Sequence, residues 1–280
     1  MDAFFSAPLS PEAYQTLVAL VYQHSRIRLG TDKQPMLANR LRRRLRELKL
    51  DSFDAYCARL QSRDGPDEIG HLVDLISTNH TRFFREPEHF TFLTRRILPV
   101  LGARSAADRS PLRLWSAAAS SGEEPYTLAM VLAEYHRDHP ATDWQVDASD
   151  ISQRMLDQAR RGVYRMEAAQ SLPPDMLRRY FQRGVGIQEG TCRVKAELRE
   201  RVRFHRINLF QTDYPVPHGL HVIFCRNVMI YFDLPSREIV IQRLSRHLAP
   251  GGHLIIGHSE SLMGVRHDLE TVGQGIYRRS

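Results

Sequence analysis

The segment Trp115-Ser-Ala-Ala-Ala-Ser-Ser-Gly-Glu-Glu-Pro-Tyr126 constrains the fold of this chain more than any other. An apolar run over 112–119 stops at small residues, and a glycine and two acids then precede a helical pattern. Leu128, Val131, Leu132 and Tyr135 recur at helical spacing, and Pro125 is tolerated only in a first helical turn. The segment therefore reads as strand, tight turn and helix N-terminus. The same alternation continues downstream, with strands expected at 113–118, 145–148, 202–207, 221–225 and 253–257 and helices at 125–136, 152–161 and 235–248. That pattern predicts an α/β domain with a parallel sheet covered by helices.

A strand-turn-helix of this kind is where open α/β sheets bind nucleotides, because small side chains let a ligand approach the backbone. This turn lacks G-x-G-x-x-G and carries Glu123 and Glu124 where a pyrophosphate would need bare N–H groups. It suits a cationic, phosphate-free nucleoside, and S-adenosylmethionine is one. The next strand ends in Val146-Asp-Ala-Ser-Asp150, and an acid at that tip can hydrogen-bond both ribose hydroxyls. Asp150 follows Gly122 by 28 residues, a spacing lengthened by the polar connection 136–143. The competing reading of Asp150 is an N-cap for the helix starting near Ile151. A third apolar strand runs into Arg226-Asn227 and then Tyr231-Phe232, with the Arg-Asn pair just past its carboxyl end, where ligands lie in open sheets. Phe232 reads as core. Upstream, Ser77-Thr-Asn-His-Thr-Arg-Phe-Phe-Arg-Glu86 reads by itself as a helix–helix connection with a hydrophobic plug.

The first hundred residues are different in kind. Helices are expected over about 11–61, a break at 64–67, further helices at 68–77 and 87–101, and a polar, alanine-rich linker at 102–111. Leu37, Leu41, Leu45 and Leu48 form an apolar stripe on a helix that also carries Arg40, Arg42, Arg43, Arg44 and Arg46. Five arginines in seven residues repel one another, so this surface reads as a docking face for an acidic partner, nucleic acid or carboxylate-rich protein. The net charge of +7 agrees with an anionic partner. The stretch 180–201, punctuated by Gly184, Gly186 and Gly190, reads as a small β-hairpin insertion. No apolar run approaches the ~20 residues of a membrane span. The start, Met1-Asp-Ala-Phe-Phe-Ser, does not look like a secretory signal. Three scattered cysteines, Cys57, Cys192 and Cys225, fit a reducing, cytoplasmic compartment as packing residues. His218 and His221 lack a third ligand, so no metal is expected, and Ser259-Glu260 reads as capping or packing.

Taken in order, T-x-N-x-T-x-F-F-R-E, W-S-A-x-x-S-S-G-E-E-P-Y-T, D-x-S, C-R-N-V-x-I-Y-F and the Gly257-His-Ser-Glu-Ser261 strand end resemble the chemotaxis receptor glutamate methyltransferases (CheR-type) over nearly the whole chain. The resemblance implies an all-α N-terminal domain (1–101), a linker (102–111) and a Rossmann-like S-adenosylmethionine-dependent methyltransferase domain (112–280) with a small antiparallel β-subdomain (180–201) inserted. It implies S-adenosylmethionine as donor, S-adenosylhomocysteine as product, and γ-carboxylates of chemoreceptor glutamates as acceptors. Carried over by position, cofactor contacts fall on Asn79, Thr81, Arg85, Glu123, Asp150, Asn208, Leu209, Arg226 and Asn227, with Arg85 and Tyr231 nearest the transferred methyl. Arg40, Arg43, Arg44 and Arg46 would dock the receptor, and Arg183 and Arg193 would tether an acidic pentapeptide at its C-terminus. A cytoplasmic monomer recruited to receptor arrays, without nucleic acid as partner, is the expectation. Where the family commonly has Gly-Cys this chain has Ala118-Ala119, which requires a turn open to ordinary residues there.

Overall fold

The computed structural model describes residues 8–63 and 65–280. The extreme N-terminus, read above for a signal, and Asp64 of the expected break lie outside the described residues. The chain separates into two units: one comprises residues up to Thr78 together with 231–236, the other 79–230 with 237–280.

The first unit is helical: α1 (Pro11–Ser25), α2 (Gln34–Leu48), α3 (Phe53–Leu60) and α4 (Gly65–Ile76). Ser10 caps α1 by accepting the Ala13 N–H (3.1 Å), and Ser52 caps α3 by accepting that of Ala55 (3.1 Å). Gly65 and Pro66 start a helix instead of breaking one, as a proline can in a first turn. Leu17, Val21, Leu37, Leu41, Leu45, Tyr56 and Leu72 are buried. The stripe read on α2 is thus this unit's core, each leucine contributing about 1.5–3 kcal/mol by leaving water.

In the second unit, α5 (Pro87–Phe92) and α6 (Leu98–Asp108) are joined by a π-helical stretch, Leu93–Ile97. The expected linker 102–111 is therefore mostly helix. Leu98 and Leu101 share one hydrophobic cluster with Leu112, Leu114, Val222 and Phe224 of the sheet, and that burial overrides the polar composition. The boundary between units falls at residue 78, not at 101.

The main sheet has the order β6-β2-β1-β7-β8-β10-β9. It comprises β1 (Leu112–Ser116), β2 (Trp144–Asp150), β6 (Val202–Arg206), β7 (Leu220–Phe224), β8 (Leu248–Ile255) and the hairpin β9 (Leu269–Gly273) and β10 (Ile276–Arg279). The first five run parallel, and β10 joins β8 antiparallel. Helices α7 (Glu123–Asp138), α8 (Gln153–Arg161) and α12 (Leu234–His247) connect the parallel strands. All five expected parallel strands are present; the C-terminal hairpin, short and glycine-punctuated, was not read from sequence.

The order reverses between β1 and β7. The crevice outside their carboxyl ends is where an open sheet of this type binds ligands. The inserted subdomain is a three-stranded antiparallel sheet, β3 (Val163–Arg165), β5 (Thr191–Val194) and β4 (Phe181–Arg183), in the order β3-β5-β4. Short helices α9 (Met166–Ala169) and α10 (Pro174–Tyr180) link β3 to β4, and α11 (Ala196–Arg199) leads out. The expected hairpin is present, but the sheet begins seventeen residues earlier than 180, because the three-residue β3 carries no alternation that a sequence could reveal.

Candidate functional site

After β1 the backbone is pinned between its two neighbours: Ala117 N–H donates to Phe224 O (2.7 Å) and Ala119 N–H to Ser149 O (2.8 Å). The turn's left-handed residues are Ser120 (φ 49°) and Gly122 (φ 100°), not Ala118 or Ala119. The alanine pair is therefore accommodated without strain. At Gly122 a Cβ would also stand 2.7 Å from the Tyr164 hydroxyl and 2.8 Å from Ala159 Cβ, so both dihedral and space demand glycine.

Asp150, at the tip of β2, accepts the Ser120 N–H (2.8 Å) on one oxygen and the Ser152 N–H (2.9 Å) on the other. The cap of α8 is Ser152, whose hydroxyl accepts from Met155 N–H. Asp150 instead ties the β1 turn to the β2 end and stays half-exposed at the crevice. Asn208 and Leu209 follow β6 directly, and Ile207 N–H donates to Asp150 O (3.0 Å), which brings that strand end beside the acid.

The two glutamates opening α7 differ. Glu124 takes the Ser116 hydroxyl (2.7 Å) and Arg226 Nη1 (3.2 Å). Glu123 is buried and receives the Ser121 hydroxyl (2.6 Å) and its own backbone N–H, with no guanidinium or ammonium paired to it among the described residues. Burial raises both carboxyls above the ordinary range. A buried acid held by a hydroxyl and a main-chain N–H, without a guanidinium or ammonium, is the group a cationic ligand would satisfy. The carboxylates, the small-residue turn and the lack of a phosphate loop together fit S-adenosylmethionine.

The upstream segment joins this crevice. Asn79 O accepts the Ser120 hydroxyl (3.0 Å) and Phe84 N–H donates to Thr127 Oγ1 (3.2 Å). Phe83 is the expected plug, edge-on to Tyr164 (5.0 Å) and Phe181 (5.5 Å). Phe84 (φ 50°) and Glu86 (φ 55°) both adopt left-handed backbone on either side of Arg85, whose Nη1 donates to His80 O (2.7 Å). Such strain persists only where surroundings enforce it. Thr81 is half-buried in the same segment.

Two expected ligand groups have other partners. The Arg226 guanidinium is buried between Phe90 and Phe224, and donates to Arg85 O (2.5 Å), Glu86 Oε2 (3.0 Å) and Glu124. Asn227 Nδ2 donates to Glu86 Oε1 (3.0 Å). Burial would raise Glu86, but hydrogen bonds from Asn227 and the charge of Arg226 outweigh it and bring the carboxyl down to about 2. Both side chains thus brace Glu86 from the end of β7. Tyr231 groups with the helical unit, where its carbonyl accepts Arg28 N–H (3.2 Å). Glu86, Ser120 and Glu124 escaped sequence reasoning as site residues, although Glu86 and Glu124 stand inside the quoted motifs.

The arginine helix also divides. Arg40 caps the end of α4 by donating to Leu75 O and Ile76 O (2.8 and 2.9 Å). Arg44 grips buried Glu68 through Nε (2.9 Å) and Nη2 (2.7 Å). These two hold the helical unit together, which corrects their assignment to an open docking face, while Arg42, Arg43 and Arg46 are exposed. In the small sheet Arg183 pairs with Cys192 and Gln182 with Arg193, so Arg183 and Arg193 lie on opposite faces. Arg193 shares its face with Arg165.

A doubly wound domain whose switch-point crevice is lined by carboxylates, in place of a phosphate loop, defines a Rossmann-like S-adenosylmethionine-dependent methyltransferase. The chain belongs to the CheR methyltransferase family: residues 12–77 match its all-alpha domain and 79–277 its SAM binding domain. It is 40% identical over 272 residues to the chemotaxis protein methyltransferase of Salmonella typhimurium, spanning 97% of this chain and 91% of the relative. The Escherichia coli chemotaxis protein methyltransferase is likewise 40% identical over 272 residues, spanning 97% and 92%. Chemotaxis protein methyltransferase 2 of Pseudomonas aeruginosa is 40% identical over 268 residues, spanning 95% and 92%. Among the described residues no helix is long and apolar enough to cross a membrane.

Proposed function

We propose that this chain esterifies glutamate γ-carboxylates in the cytoplasmic helical region of chemoreceptors, serving sensory adaptation in chemotaxis. The observation that carries this reading is Glu123, a buried acid beside the β1 turn held by a hydroxyl and a main-chain N–H, with no guanidinium or ammonium paired to it among the described residues. When bound, S-adenosylmethionine supplies a methyl group on a positively charged sulfur, which a carboxylate takes by in-line displacement with the thioether leaving. In this reading Glu123 holds the donor's ammonium, Asp150 its ribose, and Asn208 and Leu209 its adenine. Asn79, Thr81 and the main chain of 226–227 close the crevice.

A glutamate acceptor with pKa near ~4.3 is ionised at neutral pH, so the chain needs no general base. Its contribution is positioning, which can supply up to about 7–11 kcal/mol in well-oriented systems. Arg85, with its fork between two strained residues, orients a carboxylate. Arg42, Arg43 and Arg46 meet the acidic receptor helices. β3 and β4 are the edge strands of the β-subdomain, and an acidic receptor C-terminus adds there as a strand, with Arg183 and Arg193 receiving its acids.

The test is mass spectrometry of receptor membranes after incubation with enzyme and donor. A methyl ester on glutamates of the receptor's helical region is expected; modification of another residue type would overturn the acceptor assignment. Arg85→Ala is expected to keep its circular dichroism and lose most transfer. Micromolar binding of a peptide ending Trp-Glu-x-Phe supports the tether, and no binding refutes it.

A further inference from the structure

Among the described residues, one carboxylate near the crevice is hydrogen-bonded to main-chain N–H groups alone. Glu260 lies just beyond β8 and turns back, so that Oε2 accepts the N–H groups of Gly257 (2.6 Å) and Asn227 (2.8 Å). Its Oε1 accepts the N–H of Met229 (2.8 Å). Three backbone donors from two loops thus converge on one side chain, at a place where β7 has ended and no ladder partner remains for them. One residue so anchored is Asn227, whose φ of 58° is left-handed, a conformation asparagine adopts more readily than other residues with a side chain.

Gly257 completes the arrangement by its size. A Cβ there would stand 2.5 Å from Asn227 Nδ2 and 2.9 Å from Glu260 Oε2, so the strand end and the turn can meet only through glycine. Asn227 is held from its other side by Glu86, the neighbour of Arg85. Sequence alone gave Ser259-Glu260 a capping or packing role; the cap, it turns out, is on the loop that borders the crevice.

We propose that Glu260 is a positioning residue of the methyl-donor site: through Asn227 it fixes the main chain of 226–229 in the conformation that faces the donor. The proposal rests on the reading that 226–227 border the bound donor. A carboxylate is required because all three opposing groups are donors. A glutamine would turn an amide NH₂ toward at least one N–H, leaving that donor unsatisfied.

The test uses the full chain and S-adenosylhomocysteine, titrated calorimetrically well below the melting transition, with Glu260→Gln, Gly257→Ala and Asp150→Ala compared. Glu260→Gln is expected to weaken binding roughly tenfold, the weight of one charge-assisted hydrogen bond. The donor KM should rise by a similar factor while kcat at saturating donor stays within about twofold, since a positioning effect on binding is not one on the reacting carboxylate. Gly257→Ala, which keeps the carboxylate but crowds both Asn227 Nδ2 and Glu260 Oε2, should do the same. If Asp150→Ala loses affinity while Glu260→Gln and Gly257→Ala bind normally, the proposal fails and the donor site stands. If Asp150→Ala binds normally, the donor site is elsewhere and the proposal falls with it. A lowered melting midpoint with unchanged affinity of the folded protein assigns Glu260 a structural role only and overturns the proposal.

Discussion

Replacing Arg226 with methionine is the sharpest probe of the polar network under the crevice. The guanidinium is buried, with a side-chain exposure of 1%, and faces Glu86 at 3.0 Å and Glu124 at 3.2 Å. Methionine fills much of the space between Phe90 and Phe224 but leaves both acids without their cation. Breaking a buried pair by removing one partner costs about 3–5 kcal/mol, because the remaining charge stays buried. For a domain of this size each kcal/mol moves the midpoint by about 2–4 °C, so Arg226→Met should melt roughly 6–20 °C lower at pH 8. The pH dependence identifies the cause. In the variant the two carboxyls have folded pKa values above their unfolded ones, so the native state binds the extra protons and stability falls as pH rises through that range. The deficit should therefore narrow as pH is lowered from 8 to 5, and adding Glu124→Gln should recover part of it. Differential scanning calorimetry reads all of this. A midpoint drop below 3 °C, or a deficit constant with pH, would refute the reasoning.

In the unaltered chain the sign is opposite for Glu86. Glu86 is depressed from about 4.5 to about 2, so its share of stability is complete above ~4.5 and is lost as pH falls toward 2. Glu86→Gln should flatten that acid limb in a denaturant series, and an unchanged limb would count against the network. On the arginine helix, Arg44→Ala should destabilise the helical unit by about 3 kcal/mol, since Glu68 is left buried with only the Tyr56 hydroxyl. Alanine at Arg42, Arg43 or Arg46 should stay within about 0.5 kcal/mol of the parent yet raise the receptor KM, most of all at low salt. Equal effects at all these positions would remove the distinction between the two arginine sets.

Much of the fold could be read because the parallel strands are buried apolar runs, each bounded by turn residues, and because α2 carries a leucine stripe. What could not be read depended on tertiary burial. The polar stretch 102–108 is helical because Leu98 and Leu101, on the same helix, pack into a core shared with the sheet. β3 and the C-terminal hairpin are too short for a period to show. At the site, motif position gave the right neighbourhood but not the roles. Arg226 and Asn227 follow the strand as expected, yet their side chains turn to Glu86, a partner 140 residues away that no spacing rule connects. Likewise Arg40 and Arg44 look identical in sequence to Arg43, and only the positions of Glu68 and the α4 carbonyls separate them.

The most direct measurement is transfer of a labelled methyl group from S-adenosylmethionine to chemoreceptor membranes, read as methanol released by base. Carboxyl methyl esters hydrolyse under those conditions, whereas N-methyl and ribose O-methyl products do not. The account predicts base-labile counts on a receptor-sized band. Base-stable counts, or none while S-adenosylhomocysteine still binds, would contradict the glutamate acceptor.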